Sequence, residues 1–465
     1  MSASHDQLKS LNDSETEIPR KVAASNFGFF SLVSLVVASM IGSGVFTTSG
    51  FALGDLGDSR LVLAVWCIGG IVALCGAIGY GALAARLPGS GGEYLYLSKS
   101  MHPAVGFLAG WISLVAGFTV PMSLAAKTFA TYMLSGWSSG PWQVEIVATV
   151  AICIAAIANS ISSKTGAWMQ NSMVTGKLLL LLLFLGWAFM APADRWHANT
   201  LPMEKWPVEG YMVILAMAGS LVWVSLSYTG FNAAIYVAGE APMAERWVPK
   251  SMIWATLVVT VFYVALNYVF LHGAAAEKIS GQPEVALIAA RELQGSGLES
   301  LIRFIVCLAT LTSVWSIAIA GPRVYSQMAV DRLMPAWLMT RGGEPRLAIW
   351  VQAILAVVVV WFASLRDMLG YLGMTLSMCA ALTVACVLLP NRGAEAERNQ
   401  ASAIAKVASA IYVLTTIGLI VLAASNRRYE MFAMVATVVV GIILMLVWKQ
   451  VYPSEGISST DSKRA

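Results

Sequence analysis

Charge is what this sequence has least of. Asp, Glu, Lys and Arg make up 12% of its 465 residues, whereas soluble domains carry about 25%. Together with 58% hydrophobic residues, this deficit excludes an ordinary water-soluble domain. Basic residues form no cluster dense enough for nucleic-acid binding, and the net charge of +4 needs no such partner. The six cysteines (Cys67, Cys75, Cys153, Cys307, Cys379 and Cys386) include no CxxC pair and all fall in apolar stretches, so they read as small packing residues. The histidines number four. His5 lies in a polar tail, and His102, His197 and His272 have no second ligand at helical spacing, so neither a metal nor another cofactor is expected.

What is present is apolar sequence in pieces close to the ~20 residues that cross a bilayer core. We read twelve such spans, at 27–53, 61–86, 103–135, 143–161, 166–190, 211–238, 250–273, 301–328, 346–363, 367–389, 404–425 and 429–451. The turn "SLRD" (364–367) separates the ninth from the tenth. The fold class is therefore an all-α integral membrane protein. About 18 of the 29 Lys and Arg fall on the side shared by the termini and about 9 on the other, which by the positive-inside rule makes both termini cytoplasmic. The mixed-charge segment 1–26 reads as a cytosolic tail rather than a signal peptide, and 452–465 as a second tail. Between spans, 192–210 is rich in Trp and Pro, and "PEVALIAARELQG" has the periodicity of a short lid helix.

Span 1 contains "VASMIGSGVFTTSG" (37–50). Glycine inside a helix costs about 1 kcal/mol relative to alanine, and in hydrocarbon a broken helix must satisfy its freed backbone groups within the protein or line a cavity. Five spans later, "AMAGSLVWVSLSYTGFNAAIYVAGE" (216–240) crowds small and polar residues into the middle of span 6. Small residues can serve close helix packing alone. Two interruptions at matching positions point instead to inverted repeats with a midplane binding site. The chain then divides into a first repeat (27–190), a second repeat (211–389) and two peripheral spans (404–451).

"IGSGVF" (41–46), "GSGGEYLYL" (89–97), "YTGFNAA" (228–234) and "PRVYSQMAVDRLMP" (322–335) together resemble the amino acid, polyamine and organocation (APC) superfamily of permeases, in its order and spacing across spans 1 to 10. The resemblance implies a LeuT-like 5+5 inverted repeat with helices 1 and 6 unwound around the substrate, in the plasma (cell inner) membrane. The freed N–H groups of Gly42, Ser43 and Gly44, at the positive end of the following half-helix, suit a carboxylate. Carbonyls near Ala38 to Ile41 and near Leu226, Ser227 and Tyr228 suit an ammonium, and Gly230 permits close backbone approach.

The resemblance also assigns coupling and gating residues. Lys177 matches a lysine that replaces a sodium ion in sodium-independent relatives, with Ser313 as its partner; the alternative is snorkelling to an interface. For Lys127, nearer a span end, snorkelling is the better reading. Asn232 would link occupancy to helix movement, and Tyr94 would serve an inner gate or be an ordinary interfacial tyrosine. Arg323 and Asp331 look structural. Two departures stand out. Leu226 occupies a position where relatives place a large aromatic lid, so either a smaller lid suffices or Trp223 substitutes. Gly239 replaces the first of two acids after span 6.

No Asp or Glu lies in the middle of spans 1, 3, 6, 8 or 10, which disfavours a cationic side chain in the pocket. Met40, Val120, Met122 and Trp315 would recognise a neutral one. The expected activity is a neutral amino acid carrier, sodium-independent, working as a proton symporter or an exchanger. An amine or polyamine carrier and a non-transporting sensor or assembly subunit are the alternatives. An enzyme would need a nucleophile with its base or paired acids at depth, and a channel would need filter loops or charged rings; neither pattern is present.

Overall fold

The computed structural model describes residues 28–87, 92–135, 140, 142–161, 166–197, 210–241, 243–330, 333–339, 345–389, 401–424 and 428–451. The tails, residues 89–91 of the second motif, Asp331 and most of the 192–210 segment lie outside the described residues. Among the described residues every regular element is helical.

The first span is two half-helices, α1 (Phe29–Met40) and α2 (Gly44–Leu56), bent by 40°. The second is α3 (Ser59–Arg86), followed by the short α4 (Gly92–Ser100). The third is α5 (Pro103–Ile112) and α6 (Val120–Leu134), joined by π-helical Ser113–Thr119. Pro121, just past that wide turn, has no N–H to give and no room for a carbonyl one turn back, which accounts for the widening. The fourth and fifth are α7 (Gln143–Ile161) and α8 (Gly166–Phe189). The sixth is α9 (Tyr211–Tyr228) with a 3₁₀ continuation at Ala233–Glu240, and the seventh is α10 (Ala244–His272). The short α11 (Ala276–Ile279) and α12 (Val285–Gln294) precede α13 (Ser296–Val330), α14 (Arg346–Phe362), α15 (Leu365–Ala385), α16 (Ala403–Ala424) and α17 (Arg428–Val451). Each of the twelve apolar segments is thus helical. The short helix expected in "PEVALIAARELQG" is α12.

The helix surfaces are built for lipid. On α7, Ile146, Val150, Ile154, Ile157 and Ile161 are exposed while Ala148, Ala151, Ala155 and Ala156 are buried. Small residues face protein and branched ones face outward, as close helix packing in hydrocarbon requires. The largest buried cluster is centred on α1, α2, α3, α9 and α10, and a second joins α6, α7, α13 and α14. Between α14 and α15 the chain turns at Ser364. Its hydroxyl accepts from the Asp367 N–H, and the Asp367 carboxylate accepts from Ser364, a capping box that starts α15.

Lys127 is bonded within the protein. Its ammonium donates to the Val360 and Ala363 carbonyls at 3.0 and 2.8 Å and pairs with Glu145 at 3.2 Å. It therefore caps the C-terminal end of α14, where carbonyls lack intrahelical donors. Lys127→Met is expected to lower the unfolding free energy of the purified protein by about 2 kcal/mol, the scale of hydrogen bonds to a charged group. Thermal melting checks this, with an unchanged midpoint contradicting it.

Candidate functional site

The two interruptions meet. α1 ends at Met40, and Ile41 takes φ −76° and ψ 86°, close to an inverse γ-turn in which the Gly42 N–H donates to the Met40 carbonyl at 2.9 Å. This corrects one expectation: the Gly42 N–H is already bonded and is not free for a carboxylate. Ser43 and Gly44 stand at the mouth of α2, where the first N–H groups of a helix have no intrahelical acceptor. In span 6 the helix runs through Tyr228 and breaks at Thr229–Asn232, slightly later than the crowding of polar residues from Ser225 suggested.

Two glycines set how closely the breaks approach. A Cβ on Gly44 would collide with the Ser227 hydroxyl and lie 3.0 Å from the Ser227 Cα. A Cβ on Gly230 would lie 2.8 Å from the Ser39 carbonyl carbon, and its φ of +94° strains any other residue. Each glycine thus abuts a serine a few residues before the other span's break.

Most of the freed carbonyls are already occupied. The Lys177 ammonium, on a side chain 3% exposed, donates to the Ile41 carbonyl at 2.8 Å. Thr229 donates to the Leu226 carbonyl through its N–H at 2.9 Å and its hydroxyl at 2.6 Å. The Tyr263 hydroxyl, from α10, reaches both the Met40 carbonyl at 2.5 Å and the Ser227 carbonyl at 2.8 Å. One proton serves two acceptors there, and the Met40 carbonyl also accepts from the Gly42 N–H. Sequence reasoning missed Tyr263, because a single tyrosine in an apolar helix carries no local sign of partners far away in the chain.

Lys177 is not bonded to Ser313, its expected partner. The Ser313 hydroxyl donates to the Ala309 carbonyl within its own helix, and it lies 4.0 Å from where a Gly42 Cβ would sit. Lys177 and Ser313 therefore flank the same short segment without touching. The Tyr228 ring turns from the break toward α3, where its hydroxyl donates to the Trp66 carbonyl at 2.9 Å. Its ring packs against Trp66 and Tyr263 at centroid distances of 5.9 and 5.1 Å. Trp315 is half-buried in the second cluster with α6, α7 and α14. Leu226 is buried in the first cluster.

Trp223 is fully buried, with its ring 5.8 Å from Phe51. The Arg366 guanidinium, at the start of α15, lies 5.1 Å from the Trp223 ring centroid and 5.8 Å from that of Phe51, and it pairs with Asp55 at 3.2 Å. α2 and α9 are thereby held together at one end of the bundle. The Gly281 N–H donates to the Gly50 carbonyl at 2.7 Å, and the Tyr132 hydroxyl to the Phe46 carbonyl at 2.7 Å, which further fastens α2. Toward the opposite end, the Asn232 side-chain amide donates to Glu93 on α4 at 3.3 Å. Tyr94, the expected gate residue, is half-buried on the same helix.

With this geometry in place, comparison with known proteins decides the family: the amino acid permease family model matches residues 27–462. The chain belongs to the amino acid permease family. It is an integral membrane permease, not an enzyme. It is similar to the serine/threonine exchanger SteT of Bacillus subtilis (strain 168), 27% identical over 66% of this chain and 69% of that protein. The human Asc-type amino acid transporter 1 is 22% identical over 80% of this chain and 72% of its own length. The human large neutral amino acids transporter small subunit 2 is 22% identical over 77% and 68%.

Gly44→Val and Gly230→Ala are each expected to abolish amino acid uptake while leaving a monodisperse protein in the membrane, because the added atoms force the two breaks apart. Uptake into liposomes, with size-exclusion chromatography of the same preparations, checks this. Unchanged uptake kinetics in both variants would contradict the site.

Proposed function

We propose that this permease carries neutral amino acids by alternating access without sodium. Its substrate sits between the breaks of spans 1 and 6, in a protein whose two repeats (27–190 and 211–389) move against each other. The observation that carries the reading is the Lys177 ammonium on the Ile41 carbonyl. A fixed cation occupies the end of the first half-helix, where a bound cation would otherwise find its oxygen ligands. The substrate carboxylate then faces the N–H groups of Ser43 and Gly44 at the start of α2, and its ammonium shares the Ser227 and Met40 carbonyls with the Tyr263 hydroxyl.

The charge distribution supports a neutral side chain. Among the described residues the buried charged side chains are Lys177, Glu93 and Glu299. Glu299 is held by Arg291 and Arg303, each at 2.6 Å, and Glu93 accepts from three neutral donors. Among the described side chains, no buried carboxylate lies on the broken spans to receive the distal cation of a polyamine or a basic amino acid. Relatives described as a serine/threonine exchanger and as large neutral amino acid and Asc-type transporters fit the same substrate class, and the first favours exchange over symport. On this reading both termini are cytoplasmic, and the Arg366 end of the bundle faces outside.

A ligand that binds only the folded protein raises its apparent stability. A thermal-shift screen over the common amino acids and polyamines, with and without sodium, is expected to show stabilisation by small or large neutral amino acids and no sodium effect. A response to amines alone would replace the reading with an amine carrier. Lys177→Ala is expected to lose sodium-free exchange, and wild-type exchange in that variant would remove Lys177 from the mechanism.

A further inference from the structure

Glu93 has a place in the fold that transport of a neutral zwitterion does not explain. It is 7% exposed, on a short helix between the second and third spans. Its carboxylate accepts from the Tyr80 hydroxyl of α3, from the Cys379 thiol of α15 at 3.0 Å, and from the Asn232 amide at 3.3 Å. Among the described residues it forms no ion pair. The other titratable groups facing it are also neutral: Tyr236 from the continuation of span 6 and Tyr412 from α16. Among the described residues the buried carboxylate is thus balanced by hydrogen bonds alone, and desolvation opposes its charge. Burial pushes the Glu93 carboxyl above the usual carboxylate range, while the bonds from Tyr80 and Cys379 pull it back.

One of the three donors sits beside the span 6 break. Asn232 lies two residues beyond Gly230, on the segment of span 6 that, on the proposed alternating-access reading, rearranges when the site changes its accessible side. Its amide stabilises the charged carboxylate only while that segment stays where it is. We propose that Glu93 is a proton-binding site whose occupancy is coupled to the position of span 6 through Asn232. Withdrawal of Asn232 removes a donor to the carboxylate and favours uptake of a proton; conversely, a proton on Glu93 weakens the bond that holds Asn232. By linkage, acidification of the face where α4 lies shifts the protein toward the Asn232-released state, and substrate that restores the engaged state expels the proton. The charge bias assigns that face to the cytoplasm. Protons then either regulate exchange or accompany the substrate.

The inference rests on the proposed amino acid carrier, and the experiment separates the two. Exchange of a neutral amino acid is measured in liposomes, with pH varied from about 5.5 to 8 on the α4 face alone and the pH dependence of the apparent KM read out. Wild type is expected to change about five-fold or more, the lower end of typical coupling between sites. Glu93→Gln, which stays neutral and keeps an acceptor for Tyr80, is expected to exchange with a flat pH profile. A pH-independent wild type, or a Glu93→Gln variant with the wild-type profile, overturns the proton site while exchange itself still supports the carrier. Absence of any amino acid exchange in wild type overturns the carrier reading and this inference with it. Should Glu93→Gln fail to fold, Cys379→Ala decides: loss of one donor to the charged form is expected to move the midpoint to higher pH, and an unmoved midpoint overturns the proposal.

Discussion

A helix broken inside hydrocarbon exposes polar backbone that neither lipid nor water can satisfy there. This protein breaks two and presses the breaks together. Gly44 against Ser227 and Gly230 against Ser39 leave no room for another side chain. The carbonyls that face inward are met by Lys177, Thr229 and Tyr263. On the proposed reading, an entering ammonium would compete with one shared hydroxyl proton, and a carboxylate would meet the N–H groups at the start of α2.

The broken segments are also held at their far ends, by different chemistry on each side. Toward one face, Arg366 covers Trp223 and Phe51 and pairs with Asp55, so α2, α9 and α15 are joined by charge and by aromatic contact. Toward the other, Asn232 ties the continuation of span 6 to Glu93 and through it to Tyr80 and Cys379. Apart from the single fixed charge of Lys177, the centre is neutral. A carrier that releases its substrate on either side needs centre contacts that are weak and end contacts that can be exchanged for others.

The spans were legible because hydropathy alone reports them, and the α14–α15 turn because Ser364 and Asp367 form a local cap. The break in span 1 was legible from Gly42 and Gly44. The break in span 6 fell at Thr229–Asn232 because left-handed Gly230 decides it, and the polar residues from Ser225 onward remain helical. The bonds at the centre were harder to read. Tyr263 and Arg366 act through partners distant in sequence, and Glu93 was passed over for its neighbour Tyr94 in a motif that drew notice to the tyrosine. Lys177 was recognised as an intramembrane charge, but only folding reveals that it meets a backbone carbonyl rather than Ser313.

The central claim is that the substrate bridges the two breaks through backbone groups. The most direct test is a cryo-electron microscopy structure with a bound neutral amino acid. The account predicts carboxylate density within hydrogen-bond distance of the Ser43 and Gly44 N–H groups and the ammonium beside the Ser227 carbonyl. Density lodged elsewhere, with the contacts of Gly44 and Gly230 intact and the space between the breaks empty, would contradict it.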